Sequence, residues 1–232
     1  MVAGRNTKNV VGDKIDMKNN VKTILFDFDG VIVNSFQPAF EVSRMLRPRM
    51  DFTKDDYRKC FEGNVYEEFL KIDKKQEVTN KQFFEIYIPK LFQLPVVKGI
   101  PKTLKMLFKK YRLIIISSTI SSPIGEWLNR RGLAKYFSEI MGGDVHKIKL
   151  EKIRMIFEKY GINSDDCVFI TDTLGDLREA KNAGLNCLAV TYGFHSEDTL
   201  RKGKPAGFVK TPQDIPIEVE KYWNKYKKCH GK

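Results

Sequence analysis

The chain has 232 residues, 42% hydrophobic and 30% charged, so it can form one medium domain, or a core with a smaller insertion, around a substantial apolar interior. This length excludes a disulfide-stabilised miniprotein, and no apolar stretch approaches the roughly 18 residues that a membrane-spanning helix needs. The net charge of +12 could attract polyanions, but no recognised nucleic-acid motif accompanies it, so a nucleic-acid partner is possible and not favoured.

The cysteines and the N-terminal sequence indicate the cellular compartment of the protein. The chain has 4 widely scattered cysteines, two of them inside apolar runs, which is typical of a reducing compartment. The N-terminus is polar and lacks the hydrophobic stretch of a signal peptide. We therefore expect a cytoplasmic protein without membrane association, and a monomer is the simplest assumption.

Alternating apolar and helical patterns follow a polar start. The first 20 residues lack apolar periodicity and predict a loose tail. From Val21, a short apolar run ends at Gly30, and later runs of the same kind alternate with helical patterns, which predicts a doubly wound parallel α/β sheet. The predicted strands cover residues 23–28, 113–116, 167–170 and 187–190, and the predicted helices cover 123–131, 150–160 and 177–183.

A helical insertion interrupts this alternation directly after the first strand. It shows helical patterns over 40–46, 57–61 and 83–92, but no strong strand. We expect it to overhang the carboxyl edge of the sheet, where open α/β folds bind ligands. The predicted organisation is a tail over 1–20, a Rossmann-like core over 21–34 and 96–225, a small helical domain over 35–95, and a basic tail over 226–232.

Two aspartates come at the end of the first predicted strand. Because side chains alternate along a strand, Asp27 and Asp29 share one direction, and Gly30 allows a sharp turn directly after them. Two carboxylates within a hydrophobic run are costly unless something compensates their charge. A divalent cation would do so.

A second acidic pair, Asp172 and Asp176, follows the strand over 167–170. The two residues are four positions apart and lie on one face of a helix start, so both can point toward the first pair. Four clustered carboxylates favour a hard, oxygen-seeking ion, and the absence of nearby His or Cys favours Mg²⁺ over zinc. In the alternative interpretation, Asp29 only opens a turn and Asp172 only caps a helix.

Hydroxyl groups and lysines complete the predicted edge. Ser117 and Ser118 follow the strand over 113–116 and precede a helix, so they suit a phosphoryl oxygen, although loop and cap roles are equally ordinary for serine. Lys147 and Lys149 lie just before the helix over 150–160. A lysine that reaches this edge could neutralise a nucleophile and a transferring phosphoryl group.

These motifs, in this order, resemble those of the haloacid-dehalogenase-like phosphatase superfamily, in the branch with a small helical cap that includes phosphoglycolate phosphatase and β-phosphoglucomutase. The resemblance runs from about residue 21 to residue 209 and rests on four motifs. They are Asp27 with Asp29, Gly30 and Val31; Ile116 with Ser117 and Ser118; Lys147; and Thr171 with Asp172 and Asp176.

The resemblance implies a role for each motif residue. Asp27 is the expected nucleophile, Asp29 acts first as general acid and then as general base, Ser117 binds the phosphoryl group, and Lys147 steadies the charge. Magnesium would be held by the side chain of Asp27, the backbone carbonyl of Asp29 and Asp172, with Asp176 in support. Dehalogenases of the superfamily lack the second aspartate, so Asp29 favours phosphoryl chemistry.

The insertion over 35–95 resembles the small helical cap of the family, and Gly63 with Asn64 resembles its specificity loop, although both residues also suit an ordinary turn. Three departures from the family pattern stand out. Asn34 replaces a common aspartate, Thr171 replaces a frequent glycine, and no proline follows Lys147. The missing proline leaves Lys149 as a rival for the lysine role.

The predicted function is magnesium-dependent hydrolysis of a small phosphorylated metabolite through an aspartyl phosphate on Asp27. Alternatives on the same fold are a nucleic-acid end or nucleotide phosphatase, and a phosphomutase or phosphonatase. A phosphonatase would need a cap lysine, for which Lys59 and Lys71 are the candidates. A binding protein without turnover would not need every catalytic position to be intact. Phosphosugars, phosphoglycolate and nucleotides all stay open as substrates.

Overall fold

A parallel sheet of six strands forms the centre of the protein. The computed structural model describes residues 21–48, 51–73 and 78–230, with side chains described as far as residue 225, so the predicted tail over 1–20 lies outside the described residues. The strand order is β3-β2-β1-β4-β5-β6, with every neighbouring pair parallel. The strands are β1 (Thr23–Phe26), β2 (Arg112–Ile116), β3 (Glu139–Met141), β4 (Cys167–Thr171), β5 (Cys187–Val190) and β6 (Gly207–Val209).

The apolar runs form strands because both faces of the sheet are buried. Every residue of β1 is buried, and Ile24 pairs in register with Leu113 of β2 and with Val168 of β4. Ile24 and Phe26 belong to the hydrophobic cluster on one face, and Leu25 belongs to the cluster on the other. A strand that packs on both faces must be apolar throughout, which is why the pattern is continuous and not alternating.

The helices of the core cover both faces of the sheet. The three predicted helices are present with ends shifted by no more than three residues, and β3 and β6, three residues each, were not predicted. The last helix continues to His230, into the predicted basic tail over 226–232. The core helices are α5 (Ile100–Leu107), α6 (Ser121–Arg130), α7 (Lys149–Tyr160), α8 (Leu174–Asn182), α9 (Glu197–Arg201) and α10 (Ile215–His230).

Among the described residues of the insertion that follows β1, four segments are helical. Thr53, Asn64 and Thr79 cap the starts of the second, third and fourth helices through their side chains, which explains where these helices begin. The third helix was not predicted. The cap helices are α1 (Phe36–Met45), α2 (Lys54–Lys59), α3 (Val65–Ile72) and α4 (Asn80–Gln93).

Within the described part of the chain, no helix combines the length and the apolar character needed to cross a membrane.

Candidate active site

The first acidic pair lies at the carboxyl end of β1, beside the carboxyl end of β4. The sheet order reverses at this point, which is where open α/β sheets bind ligands. Asp27 is buried, and the backbone N–H of Phe28 donates to its Oδ1 over 2.7 Å. Gly30 has φ +75°, and a Cβ at this position would lie 1.9 Å from Oδ2 of Asp172. Glycine is therefore required both by the turn and by the close approach of the two strand ends.

Asp29 is held by hydroxyl groups from both parts of the molecule. Its Oδ1 accepts hydrogen bonds from Ser35 Oγ at 2.6 Å and from the hydroxyl of Tyr87, on cap helix α4, at 2.7 Å. Its Oδ2 accepts from Thr119 Oγ1 at 2.8 Å and, more weakly, from Ser117 Oγ at 3.4 Å. This carboxylate is thus oriented by hydrogen bonds from both the core and the cap.

Asp172 and Asp176 lie at the end of β4 and in the first turn of α8. Oδ2 of Asp172 accepts from the backbone N–H of Phe194 over 2.7 Å. Oδ1 of Asp172 is buried and has no hydrogen-bond partner among the described residues. Asp176 accepts a hydrogen bond from Thr171 Oγ1, and its backbone N–H is capped by Thr173. The threonine that replaces a glycine before Asp172 therefore supports Asp176.

The lysine at the centre of the site is Lys149. Its Nζ lies 2.8 Å from Oδ2 of Asp27 and 2.7 Å from Oδ2 of Asp176, and its side chain is only 5% exposed. Lys147, which the sequence favoured for this position, is exposed, and its Nζ lies 5.6 Å from the centre of the Tyr66 ring. The preference for Lys147 is not supported, because α7 begins at Lys149 and its first turn directs that residue into the site.

The serines after β2 form a compact polar turn. Ser117 is fully buried, and its Oγ accepts the backbone N–H of Thr119 at 3.0 Å. The backbone carbonyl of Ser118 accepts the hydroxyl of Tyr66, on cap helix α3, at 2.6 Å. Ser117 and Ser118 thus lie at the predicted edge, and Ser118 also contacts the cap. Thr119, the next residue of the same hydroxyl run, lies at this edge as well.

A second buried lysine, Lys152, donates hydrogen bonds to the backbone at this turn. Lys152 is fully buried, and its Nζ donates to the carbonyl of Ser117 at 2.6 Å and to that of Gly142 at 3.3 Å. It joins the ends of β2 and β3 through their backbones. The sequence offered no signal for it, since a lysine in a basic chain is ordinarily an exposed residue.

The loop with Gly63 and Asn64 docks the cap on the core. Asn64 Nδ2 donates to Glu179 Oε1 at 2.8 Å and to the carbonyl of Lys147 at 3.2 Å. A Cβ on Gly175 would lie 2.1 Å from the carbonyl oxygen of Gly63, so the two segments touch through their backbones. Both cap residues also line the cavity described below. The loop therefore makes more contacts than an ordinary turn between helices.

Burial dominates the electrostatics of the site. Burial raises the pKa of Asp27 and raises that of Asp172 to about 7, while the charge of Lys149 opposes both shifts. For Asp176, burial is outweighed by Lys149, which lowers the pKa of that carboxyl. Burial likewise disfavours the charged form of Lys149, but Asp176 and Asp27 raise its pKa above the ordinary value. The site thus contains three buried carboxyl groups, and Lys149 forms ion pairs with two of them, Asp27 and Asp176.

This charge balance and the unpaired oxygen fit a divalent cation. The buried Oδ1 of Asp172 lacks a donor, and one lysine cannot neutralise three carboxylates. No three His, Cys, Asp or Glu side chains of the described residues gather in a metal-binding group, so the four aspartates do not form one cage through their side chains. Asp176 is already engaged by Lys149 and Thr171. The residues fit a site in which Asp27 and Asp172 supply the carboxylates.

A cavity of about 340 Å³ lies between the acidic edge and the cap. Its residues at the core include Asp27, Asp29, Thr119 and Lys149, and the cap contributes a largely aromatic lining. The carboxylates therefore face an enclosed space that can hold a substrate.

The sequence profile of haloacid dehalogenase-like hydrolases matches residues 24–190, which is well over half of the chain. The chain belongs to the haloacid dehalogenase-like hydrolase family. The match spans all four predicted motifs, from Asp27 to Asp176.

Named relatives and a solved structure agree with this assignment. The chain is 24% identical over 213 residues to phosphoglycolate phosphatase 1 of Pseudomonas aeruginosa, covering 84% of this chain and 78% of that protein. It is 25% identical over 199 residues to a 5'-nucleotidase of the same organism, covering 80% of this chain and 89% of that protein. A structure described as a predicted phosphatase from Clostridium acetobutylicum superposes with a TM-score of 0.76 at 23% identity, over 88% of this chain and 100% of that one.

These comparisons confirm several predictions made from the motifs. The resemblance to this branch of the haloacid dehalogenase-like family, the doubly wound fold, and the prediction that the chain is a phosphatase enzyme are all correct.

Proposed function

We propose that this phosphatase hydrolyses a small phosphate monoester with Mg²⁺, through an aspartyl phosphate formed on Asp27. The observation that carries the proposal is the ion pair between Asp27 and Lys149 at 2.8 Å, at a strand end that faces a cavity. A buried carboxylate with a lysine ammonium group beside it is suited to attack phosphorus, because the lysine offsets the negative charge at the nucleophile.

In the first step, the Asp27 carboxylate attacks phosphorus while the bond to the ester oxygen breaks. Asp29, oriented by Ser35, Tyr87 and Thr119, donates its proton to the leaving oxygen. In the second step, Asp29 removes a proton from water, the water oxygen attacks phosphorus, and the bond to Asp27 breaks. The products are the free alcohol and inorganic phosphate.

The remaining residues compensate charge and position the reacting groups. Lys149 offsets negative charge that develops at Asp27, and the hydroxyls and backbone of Ser117 and Ser118 support the phosphoryl oxygens. When bound, Mg²⁺ would supply Lewis-acid charge compensation, and we propose Asp27, the backbone carbonyl of Asp29 and Asp172 as its ligands. The cap, docked through Gly63 and Asn64, would exclude water from the site.

Other features bear on the compartment and on the alternatives. Cys60, Cys167 and Cys187 are free, buried thiols, which supports the proposed reducing, cytoplasmic location. The side chains of Lys59 and Lys71 are 69% and 66% exposed and pair with Asp56 and Glu68, respectively. Neither cap lysine has the desolvated environment that a phosphonatase needs for a Schiff base.

The proposal is tested by hydrolysis of an aryl phosphate after removal of metal with EDTA. We expect no turnover without metal, recovery with Mg²⁺, and loss of nearly all activity in Asp27→Asn. The matched control is Asp55→Asn, a cap carboxylate that is 81% exposed, which should behave as wild type. Full activity of Asp27→Asn would refute the proposed nucleophile.

A further inference from the structure

The cavity reaches from the acidic edge deep into the cap. Ser35, which bonds to Asp29, directly precedes α1, and Arg47 follows the end of that helix. Because α1 has 10 residues, it is about 15 Å long, and these two residues lie beyond its opposite ends. Arg47 lines the same cavity as Asp27 and Asp29. The cavity therefore extends from Asp29, near the start of α1, to Arg47, beyond its end.

Arg47 is an unusual residue for the interior of a helical cap. It is only 9% exposed, and its Nε is buried without a hydrogen-bond partner in the described structure. Nη2 lies 3.6 Å from Oδ2 of Asp73, and the guanidinium lies 4.8 Å from the centre of the Phe69 ring. The ion pair and the ring hold the guanidinium in place, while its buried Nε–H lacks an acceptor among the described residues, so the hydrogen-bonding capacity of this guanidinium is incompletely used.

Aromatic rings form the walls between the two ends. Phe83 and Tyr87 stack with an interplanar angle of 23° and a centroid distance of 5.2 Å, and both line the cavity. Phe61, Phe69 and Phe84 line it as well. Flat apolar walls favour a flat apolar ligand, because aromatic faces gain both burial and stacking energy from another ring.

The volume argues against a very small substrate. A cavity of about 340 Å³ falls within the range of pockets that bind ligands much larger than a two-carbon acid. A two-carbon phosphate ester bound at Asp27 would be too short to contact the aromatic walls or Arg47.

We infer that the substrate of the proposed phosphatase is a phosphate monoester whose alcohol carries a planar heteroaromatic ring, as in a nucleoside monophosphate. The ring lies between the aromatic walls, and an acceptor on its distal edge pairs with the guanidinium of Arg47, which lines the cavity. This inference rests on the proposed function only for the position of the phosphate, since the ring and the acceptor are recognised by the cap.

The test is calorimetric binding to the full-length Asp27→Asn protein in the presence of Mg²⁺, so that no turnover is needed. We expect adenosine 5'-monophosphate to bind at least about tenfold more tightly than 2-phosphoglycolate. Arg47→Met should reduce that preference by about tenfold, which corresponds to about 1.4 kcal/mol. Arg47→Lys, which keeps a charge for Asp73 but lacks the planar donor, should reduce it as well.

Arg44→Met is the matched control, because Arg44 lies on the same helix but is exposed. It should keep the full preference, and melting curves verify that each variant is folded. Equal binding of the two esters, or equal effects of the Arg44 and Arg47 substitutions, would overturn the inference. If the wild type hydrolyses 2-phosphoglycolate best, the ligand class is wrong but the proposed function stands. If the Arg47-dependent preference is present but the wild type hydrolyses neither ester, the ligand class is supported and the proposed function is wrong.

Discussion

Lys149 bridges two carboxylates, with its Nζ 2.8 Å from Oδ2 of Asp27 and 2.7 Å from Oδ2 of Asp176. It is the first residue of α7, so the start of one helix delivers the positive charge to the end of β1. Lys147, two residues earlier, remains exposed beside the Tyr66 ring. The two lysines therefore provide a matched pair for testing which one serves the chemistry.

Lys149→Met is expected to lower kcat/KM by about 100-fold or more, since it removes the charge that compensates Asp27 during transfer. Lys147→Met should cost only a few-fold, through weaker attraction of the phosphate. Steady-state kinetics on one substrate measures both. A larger loss for Lys147→Met than for Lys149→Met would show that Lys147, and not Lys149, compensates the charge at Asp27.

Asp29→Asn is expected to slow the reaction according to the leaving group. A general acid contributes roughly 100-fold to 10,000-fold where the leaving alcohol needs a proton, and much less where it leaves as a stable anion. The variant should therefore lose more activity on an alkyl phosphate than on 4-nitrophenyl phosphate. The two substrates control for each other, and equal losses would exclude the acid role.

Asp172→Asn is expected to abolish stabilisation by Mg²⁺. A ligand at 100 times its Kd adds about 2.7 kcal/mol to the free energy of unfolding, which raises the melting temperature by several degrees in a chain of this size. The wild type and Asp165→Asn, an exposed control, should show this rise, and Asp172→Asn should not. An unchanged rise in Asp172→Asn would place the metal elsewhere.

Because of Lys152, we expect the free energy of unfolding of the protein to depend on pH. Burial, and then the charge of Lys149, lower the pKa of Lys152 from 10.5 to about 7. In this window the unfolded chain holds a proton that the folded chain has released, so the contribution of Lys152 to stability increases as the pH rises from about 7 toward 10.5. Relative to Lys152→Met, the wild type should gain on the order of 1 kcal/mol of unfolding free energy per pH unit.

Urea unfolding of both proteins at several pH values between about 7 and about 9 measures this difference. Other groups titrate in both proteins, so the comparison isolates Lys152. A difference that stays constant with pH would mean that Lys152 keeps its ordinary pKa in the folded protein. A difference that shrinks as the pH rises would mean that folding raises this pKa, and either result would contradict the prediction.

The strands and motifs could be predicted because their signals are local. Strand β1 is a continuous apolar run that is followed by Asp27, Asp29 and Gly30, and the alternation of strands and helices predicts a parallel sheet. Strands β3 and β6 escaped prediction because each has only three residues, including Glu139 in β3. Short edge strands depend on their neighbours more than on their own composition.

The contacts that complete the site could not be predicted because they join residues far apart in sequence. Tyr87 reaches Asp29 across 58 positions, and Lys152 reaches the carbonyl of Ser117 across 35. The choice between Lys147 and Lys149 depended on where α7 begins, and helix ends are the least certain feature of a sequence pattern. Arg47 carried no signal at all, since only the folded cap buries it.

The most direct test of the proposed chemistry is rapid acid quenching of the enzyme during turnover with Mg²⁺, followed by peptide mass spectrometry. We predict a phosphoryl adduct on the peptide that contains Asp27, formed by the wild type and absent from Asp27→Asn. An adduct on another residue, or turnover by Asp27→Asn at the rate of the wild type, would contradict nucleophilic catalysis by Asp27.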